Sequence, residues 1–414
     1  MHRRTMLVPP STNVVPIPER RRPRPQSPER HPLRTVKIRT WEQFPDLQGE
    51  WDSLLERCGD ASVFQTYQWH KSWWKAFGGT DRLLLILCYS GSHLVGIAPM
   101  MVTKAHRRVR PARKEVRFIG SSNNSSDYCD FLVDVEFPGA LEVLLRELCD
   151  SVSYADCLHL TNLKEQSKNH SIMQRFFQKR KSKFVVEVDQ PAPCRVLGNI
   201  TEDKKAANKS SLRRRCNYFS KAGNLRFHRC KSESEIFLYL EKFFDQHRSR
   251  RELAGTPSQF LDPAQCYFFN NLVVSLFPQG WLKFDVVLFN GEPLAFHFGF
   301  EYRKRFIWYK PTFNVEYADK SPGEVLIKYL LDDAISRGLE EFDFTVGCEP
   351  FKMRFANATR YNHRLMVFRS RYTYWLFRAR QFIRAAKKQK LRKQRPEARQ
   401  KPVQQPAARA SETA

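Results

Sequence analysis

The sequence predicts an α+β protein of two similar units, each with a mixed, mostly antiparallel sheet flanked by helices. Three observations support this prediction. The chain has 414 residues, more than one hydrophobic core usually organises. Apolar segments with strand-like alternation cluster in the middle of each half. The order helix pair, strand meander, helix and strand recurs in both halves, although the halves share no visible identity.

Basic residues are concentrated at the two ends of the chain. The formal net charge is +27; residues 1–40 hold ten basic and two acidic side chains, and residues 376–414 hold twelve and two. Pro- and Arg-rich sequence cannot pack a core, so we predict a disordered tail at 1–36 and a tail at 376–414 that is partly helical before it becomes disordered. The folded units are placed at 37–195 and 196–375. The tails fit an anionic membrane surface or nucleic acid, and simple solvation explains them at least as well.

Several functional classes lack their usual motifs. The ten cysteines form no C-x-x-C pair and no Cys/His cluster at metal-ligand spacing, so we expect no metal site, no disulfide framework and a reducing cytoplasm. No secretory signal opens the chain, and the most apolar window, 83–102, is broken by a polar turn. We therefore expect a cytoplasmic protein that is at most peripheral to the inner face of the membrane. Walker, nucleophile-elbow, zinc-protease and dinucleotide motifs are absent from the sequence.

The first half begins with two predicted helices, at 51–57 and 66–77. Thr66 is placed as the N-cap of the second helix, whose aromatic side chains recur at helical spacing, as is typical of a core-facing stripe. The remaining predicted elements are strands at 83–88, 93–102, 115–119 and 131–133, a helix at 141–152 and a strand at 157–160.

The second half begins with a predicted basic helix at 202–222, with Gly223 as its C-cap. Asn290 and Gly291 form the strongest hairpin signal in the chain. The other predicted elements are a strand at 225–230, helices at 233–248 and 263–277, strands at 282–289, 294–300 and 306–310, a helix from 321 to 336, and strands at 342–346 and 365–369.

The start of the helix at 321–336 has the features of an anion site. Ser321 is a favoured N-cap, Pro322 needs no amide partner at the first helical position, and Gly323 lets a ligand approach the backbone. Glu324 follows in the same turn. We therefore predict that Ser321 to Glu324 face an anionic cofactor such as the pyrophosphate of an acyl-CoA; an ordinary capped helix is the alternative.

Asp343, Glu349 and Lys352 lie within ten residues, around Gly347. Asp343 alternates with two phenylalanines, so its carboxylate faces the other side of the strand and could orient or deprotonate an acceptor. Lys352 could hold a phosphate or stabilise an oxyanion. The alternative is that Asp343 and Lys352 form a structural ion pair with each other.

Two further groups of polar residues are candidates for binding. Asp127, Tyr128 and Asp130 lie where a loop meets a strand, and could grip sugar hydroxyls or an amine; a turn is the alternative. A basic run on the helix at 202–222 could meet a phosphate, or form a solvated face. This run comprises Lys209, Arg213, Arg214, Arg215 and Lys221.

The segment from Trp308 to Phe355 resembles the C-terminal signature of the CelD/BcsL family, a group of GNAT-type acetyltransferases linked to cellulose and exopolysaccharide synthesis. The matching residues include Ser321-Pro322-Gly323, Phe342-Asp343-Phe344 and Phe351-Lys352, with Phe351 where Tyr is common. In the first half, similarity covers Phe64-Gln65, the tryptophans of the second helix, Gly96 to Met100 and Asp127-Tyr128. The family is related to FemAB-like aminoacyltransferases, which pack two GNAT-like units together.

The resemblance implies tandem acyl-CoA N-acyltransferase (GNAT) domains and direct acyl transfer. The donor would be acetyl-CoA or another acyl-CoA, without a metal, and the acceptor a sugar or lipid-linked glycan precursor. Asp343, Glu349 and Lys352 would carry catalysis. Two alternatives remain open: an aminoacyl-tRNA-dependent transferase acting on a cell-wall precursor, and a catalytically silent GNAT-like binding protein.

Overall fold

The computed structural model describes residues 31–43, 47–105, 113–121, 123, 125–152 and 155–394. Its first half is built from alternating helices and strands. In chain order these are β1 (Leu33–Ile38), α1 (Leu47–Arg57), α2 (Tyr67–Phe77), β2 (Arg82–Ser90), β3 (His93–Ala105), β4 (Arg113–Phe118), β5 (Leu132–Val133), α3 (Ala140–Ser151), β6 (Cys157–Lys164), α4 (Lys168–Lys179) and β7 (Lys183–Val196).

The second half repeats this order after two additional helices. Its elements are α5 (Ile200–Ala207), α6 (Ser210–Ala222), β8 (Leu225–Arg229), α7 (Glu233–Leu253), α8 (Pro263–Leu276), β9 (Leu282–Phe289), β10 (Glu292–Tyr302), β11 (Arg305–Phe313), α9 (Pro322–Ser336), β12 (Glu341–Asp343), α10 (Pro350–Phe355), β13 (Ala358–Phe368) and α11 (Arg371–Gln394).

One 13-stranded sheet joins the two halves, with the order β1-β2-β3-β4-β6-β13-β7-β12-β11-β10-β9-β8 and β5 beside β3. Each half contains one parallel pair, β4 with β6 and β11 with β12. The two halves exchange their last strands: β7 of the first half pairs with β12 of the second, and β13 of the second half pairs with β6 of the first. β13 and β7 pair antiparallel and close the sheet between the halves. The predicted α+β fold of two similar units, each with a mixed sheet flanked by helices, is confirmed.

Aromatic side chains of α2 form part of the core, as predicted. Thr66 caps this helix by accepting a hydrogen bond from the Trp69 amide at 3.2 Å. Trp69 and Trp73 are buried, and the Trp69 ring meets Phe268 of α8 edge-on at 5.4 Å. Because α8 belongs to the second half, this contact joins the cores of the two units.

The predicted basic helix at 202–222 is two helices, α5 and α6, so its continuity was wrong. The break lies at Lys209, whose ψ of 141° is extended. Its ammonium donates to the Arg354 carbonyl at 2.6 Å and lies over the Phe355 ring, so tertiary contacts favour the break. Gly223 is the C-cap, but its φ of 173° is extended. A Cβ there would meet the Asn290 side chain at 2.2 Å, so close packing explains the glycine.

The predicted strand at 342–346 is shorter, since β12 ends at Asp343. Thr345 has a left-handed φ of 58°, and its amide turns back to the Asp343 carboxylate at 2.7 Å, which ends the strand. The Asn290–Gly291 hairpin is confirmed, with φ of 52° and 88°.

Four elements were not predicted: β1, α4, β7 and α10. β1 begins inside the segment assigned to the N-terminal tail, and the proposed boundary between the units falls at the end of β7. α11 covers the start of the predicted C-terminal tail, the part that was expected to be helical, and begins at Arg371, five residues before that tail. The rest of that tail and residues 1–30 lie outside the described residues.

Candidate functional site

A cleft opens where β11 and β12 part. The two strands pair in parallel only from Arg305 to Ile307, opposite Glu341 to Asp343. Beyond Ile307 the side of β11 that faces β12 is no longer paired with it, and Pro311, which has no amide N–H, is tolerated there. The cleft has a volume of about 1060 Å³ and extends from this gap to α7 and the start of α9.

Four cationic side chains line the cleft: Lys310, Lys352, Arg250 and Arg251. Among the described residues, neither Arg250 nor Arg251 has a carboxylate within ion-pair distance. Burial, with a smaller contribution from the neighbouring Arg251, lowers the pKa of Arg250 to about 10. Burial also lowers the pKa of Lys310 against the opposing effect of Asp127. Since these cations lie close together in a partly buried cleft, an anionic ligand would relieve their repulsion.

Asp127 is the buried carboxylate of the cleft, with 7% of its surface exposed. It lies near Lys310, Lys352 and the Thr345 side chain, all of which favour its charged form. Burial raises the pKa of Asp127 even though both lysines oppose this shift. A carboxylate with a raised pKa can exchange a proton nearer neutral pH than an ordinary aspartate.

Two buried polar groups on β11 line the cleft and have no hydrogen-bond partner among the described residues. They are the indole N–H of Trp308 and the hydroxyl of Thr312. The two residues are 2% and 1% exposed. Buried polar groups are rarely left unpaired in native proteins, so these atoms suit a site that binds a polar ligand.

The start of α9 borders the cleft, but its geometry differs from the prediction. Ser321 occupies the N-cap position, as predicted, but it has a left-handed φ of 56° and its side chain makes no capping hydrogen bond. Pro322 is the first helical residue, and Gly323 faces the cleft beside Phe313. Glu324 is bound by Arg354 and by Arg215 at 3.0 Å. A carboxylate therefore lies at the positive end of this helix.

Lys352 and Glu349 both line the cleft and pair with each other at 3.2 Å. Lys352 is buried and also donates to the Val346 carbonyl at 2.7 Å. Gly347 makes this arrangement possible. Its φ is 128°, and a Cβ would lie 2.2 Å from the Glu349 carboxylate and 3.0 Å from the Lys352 ammonium.

Asp343 lies in a separate, small pocket of about 20 Å³ that Tyr128 also lines. Tyr128 donates its hydroxyl hydrogen to Asp343 at 2.8 Å. Burial raises the pKa of Asp343 to about 6, and nearby Glu341 adds to the shift. The structure thus does not bring Asp343 together with Glu349 and Lys352. The alternative of an Asp343–Lys352 ion pair was also wrong, because both groups have other partners.

Asp130 and most of the basic run lie away from the cleft. Asp130 accepts hydrogen bonds from Ser167, from the Asn169 side chain at 3.0 Å and from the Phe131 amide at 2.8 Å, and so joins the start of α4 to the segment just before β5. Of the basic run, Arg215 binds Glu324 and Lys209 binds the Arg354 carbonyl. The others, Arg213, Arg214 and Lys221, are exposed.

The sequence prediction missed Arg250, Arg251 and Lys310 as site residues. Lys310 follows Trp308 and Tyr309 in the segment that carries the family resemblance, so a signal was present. The arginines sit near the end of an unremarkable basic helix, and only the packing of α7 against β11 brings them to the cleft.

One group of possible metal ligands lies among the described residues, at the start of α7. It comprises His228, Cys230 and Glu235, whose ligand atoms lie within 4.8 Å of one another. His228 already bonds to Glu235 at 2.5 Å, and the group is at the opposite end of α7 from the cleft arginines. None of the helices in the described part of the chain is both long and apolar enough to cross a bilayer.

Comparison with known proteins supports the fold and the class of domain. Residues 206–353 match the family model of the acetyltransferase (GNAT) domain. FemX is similar in structure, with a TM-score of 0.56 and 12% identity over 80% of this chain and 96% of that one. A conserved protein of unknown function from Bacteroides thetaiotaomicron has a TM-score of 0.51 and 10% identity over 78% and 97%. No curated protein sequence matches the chain.

The fold and the matched domain define a GNAT-type acyltransferase, which confirms the predicted enzyme class. At these identities the similar structures show the fold alone. The matched segment supplies most of the cleft, from the arginines of α7 to Lys352, whereas Asp127 comes from the other half. GNAT domains generally use acyl-CoA, so the cleft is where such a donor would be expected.

Proposed function

We propose that the protein transfers an acyl group, with acetyl-CoA as the simplest donor, to an amine or hydroxyl of a sugar or lipid-linked glycan precursor. The resemblance to the CelD/BcsL family supports exopolysaccharide or cellulose synthesis as the setting, on the cytoplasmic side of the membrane. The observation that carries the proposal is the cleft between β11 and β12, which combines four cations with one buried carboxylate.

The proposed reaction is direct transfer. The acceptor oxygen or nitrogen attacks the thioester carbonyl carbon, its proton passes to Asp127, and the C–S bond breaks to release the thiol, which takes up a proton. Lys352 and Lys310, which line the cleft, would hold phosphate groups or the developing oxyanion. Asp127 replaces Asp343 as the favoured base, because Asp343 already binds Tyr128 and the Thr345 amide outside the cleft. Glu349 keeps Lys352 in place through their ion pair.

The test is isothermal titration of the full chain with acetyl-CoA in moderate salt, repeated on Gly323→Trp and Lys352→Ala. A Cβ at Gly323 would find only an ordinary contact with Phe313 at 3.5 Å, so the larger side chain projects into the cleft without straining the backbone. Micromolar binding that is lost in Gly323→Trp would support acyl-CoA in this cleft. Lys205→Gln, at an exposed position on α5, is the control and should bind like wild type.

A second candidate is favoured by Glu324. Its carboxylate lies at the helix end where a pyrophosphate would be expected, which opposes binding of CoA there. An aminoacyl-tRNA donor held by the cations of α7 and β11, as in the FemAB-like alternative, avoids this conflict. Absence of acetyl-CoA binding by wild type, together with binding of aminoacyl-tRNA that Lys310→Gln weakens, would support this second candidate. Binding of neither donor would support the non-catalytic alternative.

A further inference from the structure

Helix α11 is attached to the body by one face. Tyr374 and Phe377 contact the ring of Phe368 on β13, with centroids 5.7 and 5.1 Å apart. One turn further on, Gln381 donates a hydrogen bond to Glu187 of β7. These three residues, spaced three and four apart, define the attached face of the helix.

The opposite face carries large apolar side chains in solvent. Tyr372, Trp375, Phe382 and Ile383 are 70%, 61%, 77% and 52% exposed. At about 100° per residue they lie within one sector of the helix, together with exposed Ala379 and Ala386. We call these six residues the apolar stripe. Scattered exposed apolar residues are common, but a continuous aromatic stripe marks an interaction surface.

The charge of α11 has a single sign. Residues 371–394 contain nine Lys or Arg and no Asp or Glu. Arg378 lies on one side of the apolar stripe and Arg380 on the other, and both are exposed. Aromatic residues along one stripe, flanked by cations, are the pattern of a helix that lies in the interface of a membrane.

We propose that α11 docks the protein on an anionic lipid bilayer, with the apolar stripe inserted at the level of the headgroups and the flanking arginines on lipid phosphates. The positive charge of α11 favours an anionic bilayer over a second copy of the helix as the partner. Two copies of α11 packed through their stripes would bring like charges together, whereas an anionic bilayer neutralises them. This proposal rests on α11 alone and holds whether or not the cleft uses acyl-CoA.

The experiment is flotation of the full chain with vesicles of phosphatidylcholine alone and of phosphatidylcholine with phosphatidylglycerol. Wild type should float with the anionic vesicles only. The double variant Trp375→Ser, Phe382→Ser should bind the anionic vesicles at least about tenfold more weakly, because two aromatic anchors are lost. The matched control is Leu238→Ser, Tyr267→Ser, which removes two apolar side chains that are 77% and 52% exposed elsewhere on the surface. It should float like wild type.

The two ends of the chain remain basic in every variant, so their electrostatic attraction to anionic lipid is the same throughout. A difference between wild type and the Trp375, Phe382 variant therefore reports on α11. Equal flotation of wild type and the Trp375, Phe382 variant would overturn the proposal. So would a dimer in sedimentation velocity that this variant dissociates while no vesicle binding is seen. Binding to a structured RNA that is lost in Arg380→Gln, Arg384→Gln, with no vesicle binding by wild type, would identify a nucleic-acid surface and likewise overturn it.

Discussion

The two halves of the sheet share one strand order but differ in what lies between their parallel strands. In the second half the gap beyond the Ile307–Asp343 pair is the open cleft. In the first half β4 and β6 also pair briefly, but the chain itself fills the gap that follows. The Cys129 amide bonds to the Asn162 carbonyl at 2.9 Å, and Phe131 packs on Phe118. The same fold can thus hold a ligand or a piece of its own chain.

The filling segment, residues 125–131, also builds the cleft of the other half. Asp127 reaches the cleft, and the Tyr309 hydroxyl donates to the Ser125 carbonyl at 2.6 Å. Asn362 of β13 donates to the Asp127 carbonyl at 2.8 Å. The segment that fills the gap of the first half therefore also positions the Asp127 carboxylate in the cleft of the second half. This gives a physical reason for two units in one chain.

The largest expected effect comes from emptying the filled gap. Phe131→Ala removes a side chain that is only 2% exposed, so we expect a loss of about 3–5 kcal/mol in the free energy of unfolding, measured with urea. The matched variant Phe313→Ala, in the wall of the open cleft, should cost clearly less because Phe313 is only half-buried. Equal losses would mean that the two gaps are packed alike.

The next effect concerns Asp343, the last residue of β12 that pairs with β11. The equivalent residue of β6 in the first half is the apolar Leu158. Because the folded pKa of Asp343 is about 6, above the ordinary 3.8, the native state binds more protons than the unfolded state between these values. Stability should therefore fall as pH rises through this window, by roughly 2 kcal/mol. Asp343→Asn keeps the oxygen that accepts from Tyr128 and the Thr345 amide, and should flatten this part of the stability–pH curve. An unchanged slope would assign the titration to another group, such as Asp130.

The sequence was informative where local physics decides the structure. The Thr66 cap, the Asn290–Gly291 turn and the helix after Pro322 follow from capping and turn preferences, and all three were predicted. The repeated element order was also visible, because alternation and helical spacing are local patterns. These features were enough for the fold class and for one wall of the cleft.

The remaining features depend on contacts between distant residues. The exchange of β7 and β13 leaves no local signal, and neither does the early parting of β11 from β12. Asp127 comes near Lys310 only because it belongs to the segment that fills the gap of the first half. For the same reason Asp343, one of the three predicted catalytic residues, binds Tyr128 instead.

A smaller effect is expected from single cations of the open cleft. Lys310→Gln should weaken acetyl-CoA binding about tenfold in titration, since it removes one charge-assisted contact from a partly buried site. Burial and neighbouring Lys352 disfavour the charged form of Lys310 in the folded protein. The variant should therefore be at least as stable as wild type. A large loss of stability with unchanged affinity would instead make Lys310 a structural counter-charge to Asp127.

The smallest effect is expected on α6, outside both gaps. Arg213→Gln, Arg214→Gln removes two exposed cations, so the free energy of unfolding should change by less than about 0.5 kcal/mol per substitution, with acetyl-CoA affinity unchanged at moderate salt. Arg215→Gln is the informative neighbour, because it leaves Glu324 at the start of α9 with only one of its two arginine partners, Arg354. The less neutralised carboxylate should repel an anionic donor and lower its affinity. If the Arg213, Arg214 variant bound acetyl-CoA as weakly as Arg215→Gln, the phosphate-binding surface would extend from the open gap onto α6.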